Sequence, residues 1–155
     1  MKIKIATVND ADTLLPFIRA YHEFEGIEAS DMERTEAIAP LLGETPQFGR
    51  IWLIEEKNQA IGYIALCFGY SIEFGGRDAF LDEFYIAEPA RGRGVGRRVL
   101  EEIKGEAAQF GVRAMHLEVA AANSAAKQFY SQLGFASREH FHLMSCELGA
   151  VPGDE

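Results

Sequence analysis

Apolar residues recur along the chain with two distinct periods, and the places where the period changes mark out its elements. Residues 2–8 alternate polar and apolar, beginning Lys2-Ile3-Lys4-Ile5, as a strand with one buried face does. Leu14, Ile18 and Tyr21, flanked by Leu15 and His22, then fall at helical spacing. Asn9-Asp10 can cap this helix, Pro16 kinks it or marks a late start, and Gly26 closes it. Ser30 or Asp31 caps a second helix reaching Leu42, with Gly43 after it, and residues 44–49 read as loop.

From Arg50 the period is two or the run is continuously apolar. Ile51-Trp52-Leu53-Ile54 is a strand, Lys57-Asn58-Gln59 a tight turn, Ala60 to Ile72 a long strand, Gly75-Gly76-Arg77-Asp78 a turn and Ala79 to Ile86 a further strand. Three strands joined by short turns form an antiparallel meander. At Gly94 the period becomes helical: Val95, Val99, Ile103 and Ala107 repeat every four residues, Leu100 and Phe110 widen the stripe, and Gly111 ends it. A strand over Ala114 to Val119 follows. Asn123 then caps a short helix with Ala126, Phe129, Tyr130 and Leu133 on one face, stopped by Gly134, and residues 135–148 read as two final, paired strands. The order predicts one mixed α/β domain over residues 1–149, with a frayed tail at 150–155.

Composition narrows the function classes. The chain has 155 residues and a net charge of −9, which disfavours a general nucleic-acid binder and leans toward cationic partners or mere solubility. No apolar run approaches the length of a membrane span, and the N-terminus carries no secretory apolar region, so a cytoplasmic protein is expected. Cys67 and Cys146 form neither a metal spacing nor a disulfide framework; both read as buried small hydrophobes. His116, His140 and His142 likewise lack ligand spacing, so no metal is expected.

Against that acidic background, Arg91, Arg93, Arg97 and Arg98 cluster within eight positions. They surround Arg91-Gly92-Arg93-Gly94-Val95-Gly96, at the junction of a strand end and a helix start. The first amides of a helix lack internal partners and carry partial positive charge, and glycines let a bulky anion approach the backbone. A pyrophosphate fits there, with arginines neutralising the rest. A dinucleotide-binding fingerprint is excluded, because Arg97 stands where its third glycine belongs, and no Gly-Lys-Ser/Thr follows to make a P-loop. By itself the loop reads equally well as a phosphate cradle or as a tight strand–helix corner.

The context resembles the GNAT N-acetyltransferase superfamily: Leu81-Asp82-Glu83-Phe84-Tyr85-Ile86, then Arg-x-x-Gly-x-Gly, then Asn123, Tyr130 and Gly134-Phe135 in order. The resemblance covers the whole element order and is densest over residues 79–144. It implies a central mixed, mostly antiparallel sheet of about seven strands with four helices, splayed between the fourth and fifth strands. It also implies acetyl-CoA as cosubstrate. The amides of residues 92–97 (Gly92, Arg93, Gly94, Val95, Gly96, Arg97), with Arg91, are expected to hold its pyrophosphate. Phe84, Tyr85 and Ile86 are expected to pair with the pantetheine as an added strand would, Asn123, Ser124, Ala125 and Ala126 to hold its lower arm, and Tyr130 to lie near the thioester sulfur. Family members are often dimers, which leaves a homodimer open.

Transfer to an amine needs a proton acceptor for the attacking nitrogen and a proton donor for the leaving thiolate. Tyr130 matches the donor; its alternative is to pack with Ala126, Phe129 and Leu133. Asp82 and Glu83 are both candidates for the acceptor, with Glu83 preferred and a surface ion pair as the alternative. Being adjacent, they point to opposite faces of a regular strand, and only a bulge turns both toward one cleft. Tyr21, His22 and Glu25 on the first helix, and Glu118 beside the expected slot, are candidates for binding the acceptor amine. The function expected is N-acetyl transfer to a primary amine, with a lean toward a small cationic one; the alternative is a domain that senses acyl-CoA without turning it over.

Overall fold

The computed structural model describes residues 1–43 and 47–149; residues 44–46, in the expected loop, and the tail 150–155 lie outside them. In chain order the elements are β1 (Lys2–Ile5), α1 (Ala11–Glu25), α2 (Asp31–Ile38), β2 (Gly49–Glu56), β3 (Gln59–Ser71), β4 (Gly76–Ile86), α3 (Val95–Gln109), β5 (Val112–His116) and α4 (Ser124–Gln132). Short 3₁₀ turns occupy Val8–Asp10, Ala39–Leu41 and Glu88–Ala90. The strands form one sheet in sequence order, antiparallel from β1 to β4, with β5 parallel to β4.

The sheet is buried on both faces, which explains the unbroken apolar run of β2. Ile51 and Leu53 face Leu14 and Ile18 of α1 and Ile38 of α2. Trp52 and Ile54, one residue out of step, face Val99, Leu100 and Ile103 of α3. The four-residue repeat of α3 is thus its buried stripe. At the opposite end of the sheet the β4–β5 ladder is short. It runs from Arg77 opposite Val112 to Phe80 opposite His116, so among the described residues β4 from Leu81 onward has no strand neighbour on that side.

Three expectations are corrected. The described sheet has five strands rather than about seven: residues 135–149 join no ladder. A strand needs a partner, and here Arg138 anchors the segment elsewhere. Its guanidinium pairs with Glu73 at 2.9 Å and lies over the rings of Phe74 and Phe141, beside a turn closed by the Phe141 amide on the Arg138 carbonyl. The fifth strand also ends at His116, short of the expected Val119. Finally, Pro16 does not delay α1, which starts at Ala11 and runs through it. Pro16 is exposed, so solvent can satisfy the carbonyl that loses its helical bond.

The helix ends follow their sequence signals with one reversal. Ser30 caps α2 in a capping box with Glu33, and Gly26 ends α1 in the left-handed region. Asp10, however, does not cap α1. Its carboxylate turns back to accept from the Thr7 amide at 2.9 Å and hydroxyl at 3.1 Å, and it pairs with Lys4 at 2.8 Å. Burial pushes the Asp10 carboxyl up, but the Lys4 ammonium and the Thr7 donors outweigh it and hold the group below its ordinary range. Asp10→Ala should cost about 1–2 kcal/mol, read as a lower midpoint in urea. Because the folded value is depressed, this contribution is present above the unfolded value of about 3.9 and is lost as pH falls through the folded one. The wild-type advantage over the variant should therefore shrink in acid.

Gly62 secures the pairing of β3 with the end of β4. A Cβ there would lie 2.1 Å from the Tyr85 carbonyl oxygen and 3.0 Å from the Ile86 Cα, both backbone atoms that cannot swing aside. Gly62→Ala should prise these strands apart, at a cost of about 3 kcal/mol, measured by thermal unfolding.

Candidate active site

Past Ile86 the chain leaves the sheet, makes the turn at Glu88–Ala90 and enters α3 through the glycine loop. Gly92 and Gly94 have φ of 74° and 75°, a region that favours glycine, although neither is crowded. Helix α3 begins without a side-chain cap and without an acidic residue in its first turn, so its amides are not met by side chains. They open on a cavity of about 510 Å³ whose lining includes Phe84, Ile86, Arg91, Gly94, Gly96 and Arg97. An uncapped amide cluster, two arginines and an apolar floor fit a phosphate-bearing ligand with an apolar arm.

The arginines divide their work. Arg91 turns back to donate from Nε to the Ile86 carbonyl at 2.7 Å, with its guanidinium over the Tyr85 ring. Arg97 reaches Gln132 of α4 at 3.1 Å across the cavity wall. Arg93 pairs with Glu56 at the end of β2, 3.0 Å away, and does not line the cavity. Val95 packs into the core and also lines the cavity. From α4 the cavity receives Phe129 and Gln132, whereas Asn123, Ser124, Ala125 and Ala126 lie outside its lining. Asn123 is the cap of α4, its side-chain oxygen accepting from the Ala126 amide at 3.1 Å.

On the opposite face, the acidic pair is shaped by a bulge. Along the β3–β4 ladder Ala65 faces Glu83 but Leu66 faces Leu81, leaving Asp82 as the extra residue. Leu81 and Phe84 can therefore both pack against the α3 side, which strict alternation forbids for residues three apart. Asp82 and Glu83 act together on the other side: Tyr21, Tyr63 and Cys67 each feel the charge of both.

The two carboxylates have different surroundings. Glu83 accepts from the Tyr63 hydroxyl at 2.6 Å on one oxygen and meets His22 Nε2 at 2.6 Å on the other. His22 is in turn held by Arg34 of α2, whose Nε donates to Nδ1 at 3.2 Å. Asp82 is exposed and makes no hydrogen bond among the described residues. Protein crowding around it nevertheless pushes its carboxyl up, reinforced by Glu83 and Glu118, while a charge on His22 acts the other way.

Tyr130 lies edge-on to Phe129 and Phe135, with ring centroids 5.1 and 5.7 Å away. Burial first, then the charge of Glu25, raises its phenol above the ordinary range, so it is protonated at neutral pH. Tyr21 is raised by burial, by Glu25, Glu83 and Asp82, and by Tyr130. Thus Tyr21, Glu25, Asp82, Glu83, Glu118 and Tyr130 share one electrostatic neighbourhood, drawn from α1, β4, the chain after β5 and α4. Sequence reasoning missed Tyr63 and Arg34. A tyrosine inside an apolar strand signals a hydroxyl seeking a partner; for Arg34 the sequence carries no such signal.

Residues 15–135 match the Acetyltransferase (GNAT) family. The chain belongs to the GNAT acetyltransferase family. This acetyltransferase is 30% identical over 135 residues to the uncharacterized N-acetyltransferase YhfO of Bacillus subtilis, covering 87% of the chain and 89% of YhfO. It is 28% identical over 142 residues to the thialysine N-epsilon-acetyltransferase of Bos taurus, covering 85% and 82% of the two chains. An integron cassette protein from the mobile metagenome of Cole Harbour Salt Marsh has the same fold, with a TM-score of 0.82 and 30% identity over 96% of this chain and 91% of that one. Enzymes of this family transfer acetyl groups from acetyl-CoA, and this GNAT protein is an acetyl-transfer enzyme. None of its helices, among the described residues, is long and apolar enough to cross a membrane, and no cluster of three or more His, Cys, Asp and Glu there is arranged to hold a metal ion.

Proposed function

We propose that the protein moves the acetyl group of acetyl-CoA directly to a primary amine of a small cationic acceptor, with Asp82 as proton acceptor and Tyr130 as proton donor. The observation that carries the amine half is Asp82, an unpaired carboxylate with a raised pKa among Glu25, Glu83 and Glu118. Such a field draws in a cation. Asp82 then takes the proton that the attacking nitrogen must lose, a task suited to a carboxyl whose pKa lies nearer neutrality. Glu83, with both oxygens engaged, is the less available acceptor. The relative whose name specifies thialysine, a lysine-like amine, supports the same class.

The uncapped start of α3, with Arg91 and Arg97 beside it, would hold the pyrophosphate of acetyl-CoA, and Phe84, Ile86 and Phe129 its apolar arm. The bound cosubstrate supplies the activated acetyl group. The ammonium first gives one proton to solvent and attacks as the free amine. As the nitrogen–carbon bond forms and the carbon–sulfur bond breaks, Asp82 receives the second proton, Tyr130 gives its hydroxyl proton to the departing sulfur, and solvent reprotonates the tyrosinate. Cys67 does not carry the acetyl group. Burial, aided by Asp82 and Glu83, pushes its thiol up to about 11, so at neutral pH almost none is the nucleophilic thiolate.

The test mixes enzyme, acetyl-CoA and a panel of lysine-like amines, polyamines, aminoglycosides and uncharged aromatic amines, and follows free thiol. Release with the cationic aliphatic amines and little with the uncharged ones is expected. Preference for uncharged amines would sink the acceptor assignment, and coenzyme binding without thiol release from any amine would make the domain a sensor.

A further inference from the structure

Four side chains from four elements form an unbroken chain of contacts behind the acidic pair: Arg34 of α2, His22 of α1, Glu83 of β4 and Tyr63 of β3. Arg34 and His22 are 8% and 9% exposed, so water does not readily substitute for either partner. Beyond Arg34 the chain continues through Asp31 at 2.9 Å to Arg19 of α1, at 2.6 Å from Asp31.

The protons in this chain are fixed by chemistry. A guanidinium has only donors and is always protonated, so the nitrogen it faces must present a lone pair. That nitrogen is His22 Nδ1. The ring proton must then sit on Nε2, and Nε2 points at Glu83 Oε1, 2.6 Å away. The Tyr63 hydroxyl donates a hydrogen bond to Oε2 at the same distance. A carboxyl that accepts on both oxygens from neutral donors is a carboxylate with its geometry locked.

We propose that Arg34 is a positioning residue that holds His22 as the neutral Nε2–H tautomer, so that Glu83 stays a fixed, charged carboxylate and Asp82 alone exchanges the substrate proton. The proposal rests on the assignment of Asp82 as proton acceptor. Its logic follows from what surrounds that carboxyl. Glu83 on β4 and Glu118 after β5 raise Asp82, and a charge on His22 of α1 would lower it. Tyr21, Tyr63 and Cys67, each itself held protonated, complete the neighbourhood. Beside a carboxylate 2.6 Å away, an imidazole would ordinarily gain a second proton. Arg34 prevents this by occupying the site that proton needs and by adding a positive charge of its own. The acidic pair therefore keeps its full negative charge, and Asp82 its raised pKa.

The deciding measurement is the ¹⁵N spectrum of the histidine rings in the full chain, with His22 assigned by its loss in His22→Gln. At pH 7 His22 should show a protonated Nε2 and a bare Nδ1. In Arg34→Met the Nδ1 signal at pH 7 should move from that of a bare nitrogen toward that of a protonated one. The acid limb of the kcat/KM profile should move down by about half a unit, with little change in KM for acetyl-CoA. Arg34→Lys, which restores a cationic donor, should return both toward wild type and guards against a folding defect in the methionine variant. A wild-type His22 that is doubly protonated or carries its proton on Nδ1 at pH 7 would overturn the proposal. So would an Arg34→Met enzyme whose ring nitrogen signals and pH profile match wild type. The ring spectrum needs no substrate, so it stands or falls apart from the acceptor assignment; if Asp82→Asn retains the acid limb, that assignment fails while the tautomer result remains.

Discussion

Tyr130→Phe should lower kcat on the order of 10²–10³-fold while leaving KM for acetyl-CoA close to wild type. Phenylalanine keeps the edge-on contacts with Phe129 and Phe135 and the apolar face of α4, so the fold and the cavity should survive. What is lost is one oxygen and its proton. Burial and the charge of Glu25 raise the phenol, so it is un-ionised at neutral pH and carries its proton when the thiolate departs. Steady-state kinetics with saturating amine reads the effect, with circular dichroism as the control for folding. Unchanged turnover would place the proton donor elsewhere.

Asp82→Asn should be comparably severe, and its signature lies in the pH dependence. As the proposed proton acceptor Asp82 works as the anion, so wild-type kcat/KM should fall as the medium is acidified through its pKa. Because crowding, Glu83 and Glu118 raise that pKa, the fall should begin at a higher pH than the ordinary aspartate value of about 3.9 allows. Asparagine keeps the shape and cannot take the proton. Its profile should lose this limb and run about 10²-fold below wild type near neutrality. Glu118→Gln removes one of the raising charges and should slide the limb toward lower pH. Profiles of kcat/KM from pH 4.5 to 9 distinguish these outcomes, and a limb that persists in Asp82→Asn would return Glu83 to the role.

Much of this arrangement was legible in the sequence, and the parts that were not share a cause. Helix α3 and its loop announce themselves locally, through the spacing of Val95, Val99 and Ile103 and through glycines at a strand–helix junction. The acidic pair was visible too, but not its geometry. Whether Asp82 and Glu83 diverge or converge depends on how β4 slips against β3 between Ala65 and Leu66, a matter of register between segments. The overcount of strands has the same origin. Phe141 and Leu143 alternate as a strand would, yet Leu143-Met144 breaks the alternation and Arg138 ties the segment to Glu73. Tyr63 and Arg34 acquire meaning only through partners 20 and 12 positions away along the chain.

The early end of the β4–β5 ladder has a consequence for traffic through the enzyme. The glycine-loop cavity lies on the α3 side of β4, and Asp82 and Glu83 act on the α1 side, so through most of its extent the sheet is a wall between them. Past Phe80 and His116 β4 keeps β3 on one side but, among the described residues, has no strand on the other, which opens the sheet there. With acetyl-CoA in the cavity and the amine at the acidic face, as proposed, each substrate has its own doorway, and neither must leave for the other to enter. Dead-end inhibitors should sort accordingly: coenzyme analogues compete with acetyl-CoA and not with amine, and unreactive amines show the reverse.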